Sequence, residues 1–162
     1  MPKKSDLAAE AVPEDLKVNQ ISKDAPIIPF EGMGGIKLYS SMDSLNSILL
    51  SDGVALRILN DLWLRYDIQN CIELFFHRKN QKLFRITTLE QYTGKLWGRI
   101  AVGMTVKEML VTEPGFRYDE FEEVWESPKG VFIETDAVTN QVKWISVYIK
   151  ELDLEDFDLA KW

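Results

Sequence analysis

The sequence predicts an α+β domain in which two tandem units, each a helix followed by antiparallel strands, build one sheet with the helices on one face. Three observations predict it. A helix-type apolar period gives way to strand-type alternation, and does so twice along the chain. Positions around the two helix starts keep a spacing of 64 residues, pairing Ile36 with Ile100, Leu38 with Val102, Ser41 with Thr105, Ser44 with Glu108 and Leu45 with Met109. The composition, 46% hydrophobic and 11% aromatic over 162 residues, is ample for a packed interior.

Residues 1–25 are polar and charged without a sustained apolar period, and read as a flexible leader. A single α+β domain is expected over 26–152, with repeat one at 34–92 and repeat two at 96–150. Ile36 and Leu38 alternate as a short strand, and Ser41-x-x-Ser44 opens a helix whose apolar face is Met42, Leu45, Ile48 and Leu49, ended by Asp52-Gly53. Four strands follow, at 54–59, 62–67, 71–77 and 82–89. Ile100 and Val102 repeat the short alternation. Thr105-x-x-Glu108 is a capping box, in which hydroxyl and carboxylate satisfy backbone N–H groups reciprocally. It opens a helix carrying Val106, Met109 and Leu110 that stops at Pro114-Gly115. Strands are then expected at 122–126, 131–135 and 141–150. The last carries bulky apolar groups on both faces, which predicts a central position. The other sheet face is expected to stay partly open. Residues 153–162 form an acidic tail that alternates acids with Leu or Phe.

Net charge is −7, unevenly spread. Residues 1–107 hold 14 Lys/Arg against 12 Asp/Glu, whereas 108–162 hold 5 against 14. The second half would repel a nucleic acid and attract a basic protein. Within it, Tyr118, Asp119, Glu120, Glu122, Glu123 and Trp125 mix aromatics with carboxylates near an expected edge, the pattern of a protein-binding rim. No apolar stretch is long enough to span a bilayer, no secretory apolar region opens the chain, and Cys71 is the single cysteine. These features predict a cytoplasmic protein that engages neither membrane nor nucleic acid.

A catalytic set is not expected. His77 is the one histidine, and on an extended strand it stands roughly 20 Å from Cys71. Zinc would need ligands beyond these two, and no acidic run has the spacing of a calcium-binding loop. Gly32-x-Gly34-Gly35 precedes a strand rather than a helix and lacks the Lys-Ser/Thr of a phosphate loop, so its glycines are expected to make a tight turn. The dense carboxylates could in principle serve a glycosidase, but nothing marks one of them as the acid. No cofactor, metal or enzymatic activity is expected.

Four stretches carry a resemblance: Gly103-Met104-Thr105-x-x-Glu108, Tyr118-Asp119-x-Phe121-Glu122-Glu123, residues 130–136 (GVFIETD) and Trp144-Ile145-Ser146-Val147, with an opening from Ile28-Pro29-Phe30-Glu31-Gly32 to Leu38. Over about residues 28–152 the chain resembles small bacterial immunity proteins encoded beside polymorphic toxins, including contact-dependent growth-inhibition and Rhs-type systems. The doubled layout also resembles the β-lactamase-inhibitor-protein fold, whose concave sheet grips another protein. The resemblance implies a non-enzymatic inhibitor that captures a cognate secreted toxin. A basic nuclease would suit the acidic half, because opposite charge speeds capture. The alternative is a protein-binding or assembly module unrelated to toxins.

Overall fold

A computed structural model describes residues 21–162. β1 (Gly32–Met33) and β2 (Ile36–Lys37) form a small hairpin closed by Gly34 and Gly35, whose φ of 68° and 85° suit residues without a Cβ. A 3-10 turn (Asp43–Leu45) runs into α1 (Asn46–Leu49). Then come β3 (Val54–Ile58), β4 (Trp63–Ile68), β5 (Ile72–His77) and β6 (Leu83–Thr88). After α2 (Val106–Thr112) follow β7 (Arg117–Asp119), β8 (Val124–Ser127), β9 (Val131–Thr135) and β10 (Val142–Tyr148). Two 3-10 turns, Lys150–Asp153 and Phe157–Leu159, end the described chain. No helix among the described residues is long and apolar enough to cross a membrane.

The eight long strands make one antiparallel sheet in the order β3-β4-β5-β6-β10-β9-β8-β7. Each half is a four-stranded meander, and β6 meets β10 in the middle. There Thr87 stands opposite Ser146, their hydroxyls 2.7 Å apart and both buried. β10 is therefore central, between β6 and β9.

Each helix is hooked to the last hairpin of its half in the same way. Met42 N–H donates to the Gln81 carbonyl at 2.9 Å, and Val106 N–H to that of Asn140 at 3.0 Å. Tyr39 and Ser40 exchange hydrogen bonds with Leu83, and Gly103 and Met104 do so with Val142. Gln81 and Asn140 share a left-handed backbone (φ 59° and 56°), as do Tyr39 and Gly103 (71° and 96°).

Register sorts the side chains onto two faces. On the core face lie Ile68, Ile72, Leu74, Phe76, Ile86, Val131, Ile133, Ile145 and Val147, all buried. They join one cluster with Leu45, Ile48, Val106 and Met109 of the helical segments and with Ile27, Tyr92, Leu96 and Ile100 of the connecting loops. The opposite face carries Arg57, Arg65, Asp67, Glu73, Phe75, Arg85, Phe132 and Glu134. A bulge between Phe75 and Phe76 lets Phe84 join Arg85 on that side. Among the described residues, the segment after β10 covers one end of it: Phe157 and Trp162 pack on Phe84 and His77. Asp158 Oδ1 accepts from Trp63 Nε1 and lies 3.0 Å from His77 Nε2.

The capping box is present: Glu108 N–H donates to Thr105 Oγ1 (3.1 Å) and Thr105 N–H to Glu108 Oε1 (3.0 Å). In the first half Ser41 Oγ accepts the Ser44 N–H, but Ser44 has no carboxylate to accept in return and its hydroxyl donates to the Ser41 carbonyl (2.8 Å); the helix there is one short turn after a 3-10 start. Three expectations change. Residues 100–102 form no strand, because Ile100 turns back to bridge Leu96. Glu122 and Glu123 lie in a turn rather than a strand, and β7 is a strand that sequence alternation did not reveal. The expected leader lies outside the described residues up to residue 20. Residues 21–25 are bonded to the body, Ser22 N–H to the Gly34 carbonyl and the Tyr92 hydroxyl to that of Ala25.

Candidate functional site

The two hairpins of the second meander, β7–β8 and β9–β10, turn at the same end of the sheet. Their tips are two strand spacings apart, roughly 10 Å. Both tips are built by one device. Asp119 Oδ1 accepts the N–H groups of Phe121 (2.9 Å) and Glu122 (3.0 Å); Asp136 Oδ1 accepts those of Val138 (2.8 Å) and Thr139 (3.0 Å). These carboxylate-closed turns leave the residue two places on pointing at solvent. Phe121 is 90% exposed and Val138 93%. The same hydrogen bonds hold both carboxyls below the usual range, led by the N–H of Glu122 for Asp119 and of Thr139 for Asp136.

Glu120, Glu122 and Glu123 share the turn with Phe121, Glu123 with a φ of 58°. Of the residues singled out in the sequence, the structure thus groups Asp119, Glu120, Glu122 and Glu123. Tyr118 and Trp125 sit on the other side of the strand pair, on the core face beyond the helices, with rings 5.1 Å apart. They line a cavity of about 390 Å³ with Glu123, Thr135, Asp136, Ala137 and Asn140.

The polar face carries two further acids next to the second meander, Glu126 and Glu134. Glu126 has its carboxyl raised by burial, then by a hydrogen bond with Asp119 and the nearby acids. Glu134 is raised by burial, against the pull of Arg85 3.8 Å away. Arg85 is itself lowered to about 10 by burial. Its guanidinium lies between the Phe75 and Phe132 rings, 4.3 and 4.6 Å from their centres, and donates to Thr87 and Ser146. An arginine so clamped is a framework element that keeps the sheet centre rigid. Phe132 stacks on Tyr148 at 5.4 Å, next to the acids.

Phe121 and Asp136 entered the sequence reading only within the stretches that carry the resemblance, and Glu126 and Val138 were not singled out as site residues. The signal existed: an Asp followed two places on by an apolar residue, Asp119-Glu120-Phe121 and Asp136-Ala137-Val138, inside hairpin connections.

Among the described residues no group of three or more His, Cys, Asp or Glu is placed to hold a metal ion. Cys71 is buried with its thiol pushed up by burial, and His77, at the other end of β5, is engaged by Asp158 and by the Lys79 N–H on Nδ1. No family model, curated protein or solved structure matches the chain.

Proposed function

We propose that this protein is an immunity protein that binds and neutralises a cognate secreted bacterial toxin, a basic nuclease by charge, from the cytoplasm of the producing cell and without chemistry of its own. One observation carries the reading: an exposed aromatic, Phe121, stands at a hairpin tip closed by Asp119, with Glu120, Glu122 and Glu123 beside it along the chain. An acidic tip of this kind speeds the approach of a cationic partner, and an aromatic desolvated on binding supplies the anchor. Asp119, Glu120, Glu122 and Glu123 form the rim, with Tyr118 and Trp125 as a second contact on the cavity side.

The same reading takes the two meanders as diverged copies of one unit. Support comes from the matched hooks: spacing is 64 residues for Tyr39/Gly103 and Met42/Val106, and 59 for Gln81/Asn140 and Leu83/Val142. A loss of two residues between helix and sheet and of three in the first hairpin accounts for the change. The second copy then keeps open the hairpin end that, in the first, lies under the segment after β10.

The test is inhibition of toxins encoded beside the gene. Wild-type protein is expected to abolish the activity of one of them at stoichiometric ratio. Reversing Asp119, Glu122 and Glu123 to Lys should slow association and weaken its salt dependence, and Phe121→Ala should speed dissociation. If every toxin of the locus stays fully active, the reading fails. Capture without inhibition would favour an assembly module.

A further inference from the structure

β3 is an edge of the eight-stranded sheet, at the far side from the acidic tips. Its ladder to β4 is anchored by Gln69 N–H to the Gly53 carbonyl and Leu59 N–H to that of Trp63. Antiparallel alternation then turns the backbone groups of Ala55 and Arg57 toward β4 and those of Val54, Leu56 and Ile58 outward. The side chains of those three lie on the core face past the reach of the helices, Leu56 at 51% exposure and Ile58 at 65%. The strand has no Lys, no Pro and no bulge, the usual protections of a free edge.

We propose that β3 pairs with β3 of a second copy of this chain, antiparallel about a two-fold axis through Leu56. The strand is self-complementary in that register. Leu56 meets Leu56, and Val54 meets Ile58 of the second copy, so every outward N–H and C=O of both strands finds a partner. On the polar face Arg57 lies opposite Ala55 of the second copy, and Asp67 of that copy stands just beyond. Arg57 and Arg65 are paired with Asp67 within their own chain, and across the seam the basic residues of one copy line up in one row with the acidic residues of the other, separated by the small Ala55. Moving the axis one residue, to Arg57, would set like charges against each other and leave Val54 opposite Asn60, outside the strand. A basic or acidic foreign strand would lack this match. The dimer is independent of the proposed function, since both sets of acidic tips stay free at its outer ends.

Sedimentation velocity from about 1 μM to 1 mM tests it, a span that brackets a modest interface. The wild type is expected to pass from monomer to dimer. Leu56→Lys should remain monomeric throughout with an unchanged melting temperature, because the site is exposed. Arg57→Glu should weaken the dimer about tenfold at low salt. Arg117→Glu, on β7 at the other edge, should leave self-association unchanged. Hydrogen exchange on the wild type gives a check that needs no variant: amides of Val54, Leu56 and Ile58 should slow with concentration, while those of Ala55 and Arg57 should not. A wild type that stays monomeric, a dimer that survives Leu56→Lys, or concentration-independent exchange at all three outward amides overturns the proposal.

Discussion

Asp158 fastens the segment after β10 to the sheet, and its removal gives the sharpest test of the packing. One oxygen, Oδ1, takes the Trp63 indole N–H at 3.0 Å and lies 3.0 Å from His77 Nε2. Lys79 N–H donates to Nδ1 of the same ring, which places the imidazole proton on Nε2, facing the carboxylate. His77 is fully buried among Phe84, Phe157 and Trp162, whereas the Asp158 side chain is half exposed. Asp158→Ala strands both donors. Water can reach Trp63, so its loss is small, about 0.5 kcal/mol; the buried His77 donor costs about 1–2 kcal/mol. The total, about 2 kcal/mol, corresponds to a fall of about 4–8 °C in melting temperature for a chain of this size. Asp158→Asn keeps an oxygen in place for both donors and should lose less than half as much. Thermal unfolding followed by near-UV circular dichroism reads both variants. A fall under about 1 °C for Asp158→Ala would refute the reasoning, because the segment would then not be seated on the sheet in solution.

At the sheet centre, Thr87→Val removes a hydroxyl bonded to Ser146 and to Arg85 Nε, and should cost about 2–3 kcal/mol in denaturant unfolding. Adding Ser146→Ala should then cost less than it does alone, since the two share one network. Phe121→Ala should leave stability within about 0.5 kcal/mol of wild type in the same assay, because the ring packs on nothing. For Glu126 the folded protein holds its proton to higher pH than the unfolded chain does. Its contribution therefore favours the fold in acid and fades as pH rises from the usual carboxylate range through the raised value. Glu126→Gln should accordingly raise the melting temperature near neutral pH and match wild type in acid, measured as melting temperature against pH.

The strands were legible because alternation is a local property. β4, β5, β6, β9 and β10 lie within a residue or two of their expected places, since residues two apart share a face whatever the partner strand is. The start of α2 was legible for a similar reason: Thr105 and Glu108 satisfy each other within one turn. β7 was not, because three residues are too few to show alternation. The acidic rim was half legible. Composition marked Asp119, Glu120, Glu122 and Glu123, but the outward aim of Phe121 depends on Asp119 closing the turn beneath it.

By itself the chain determined the places of most strands and the start of α2, and how charge divides between its halves. Only the tertiary structure decided that β6 pairs with β10, that Arg85 is clamped between Phe75 and Phe132, and that the segment after β10 covers one hairpin end. The physical reason is range. Period and capping act between neighbours a few residues apart, whereas the closing pair Thr87 and Ser146 and the strap contact of His77 with Asp158 join positions 59 and 81 residues apart. Contacts at such separation come into being with the folded sheet as a whole.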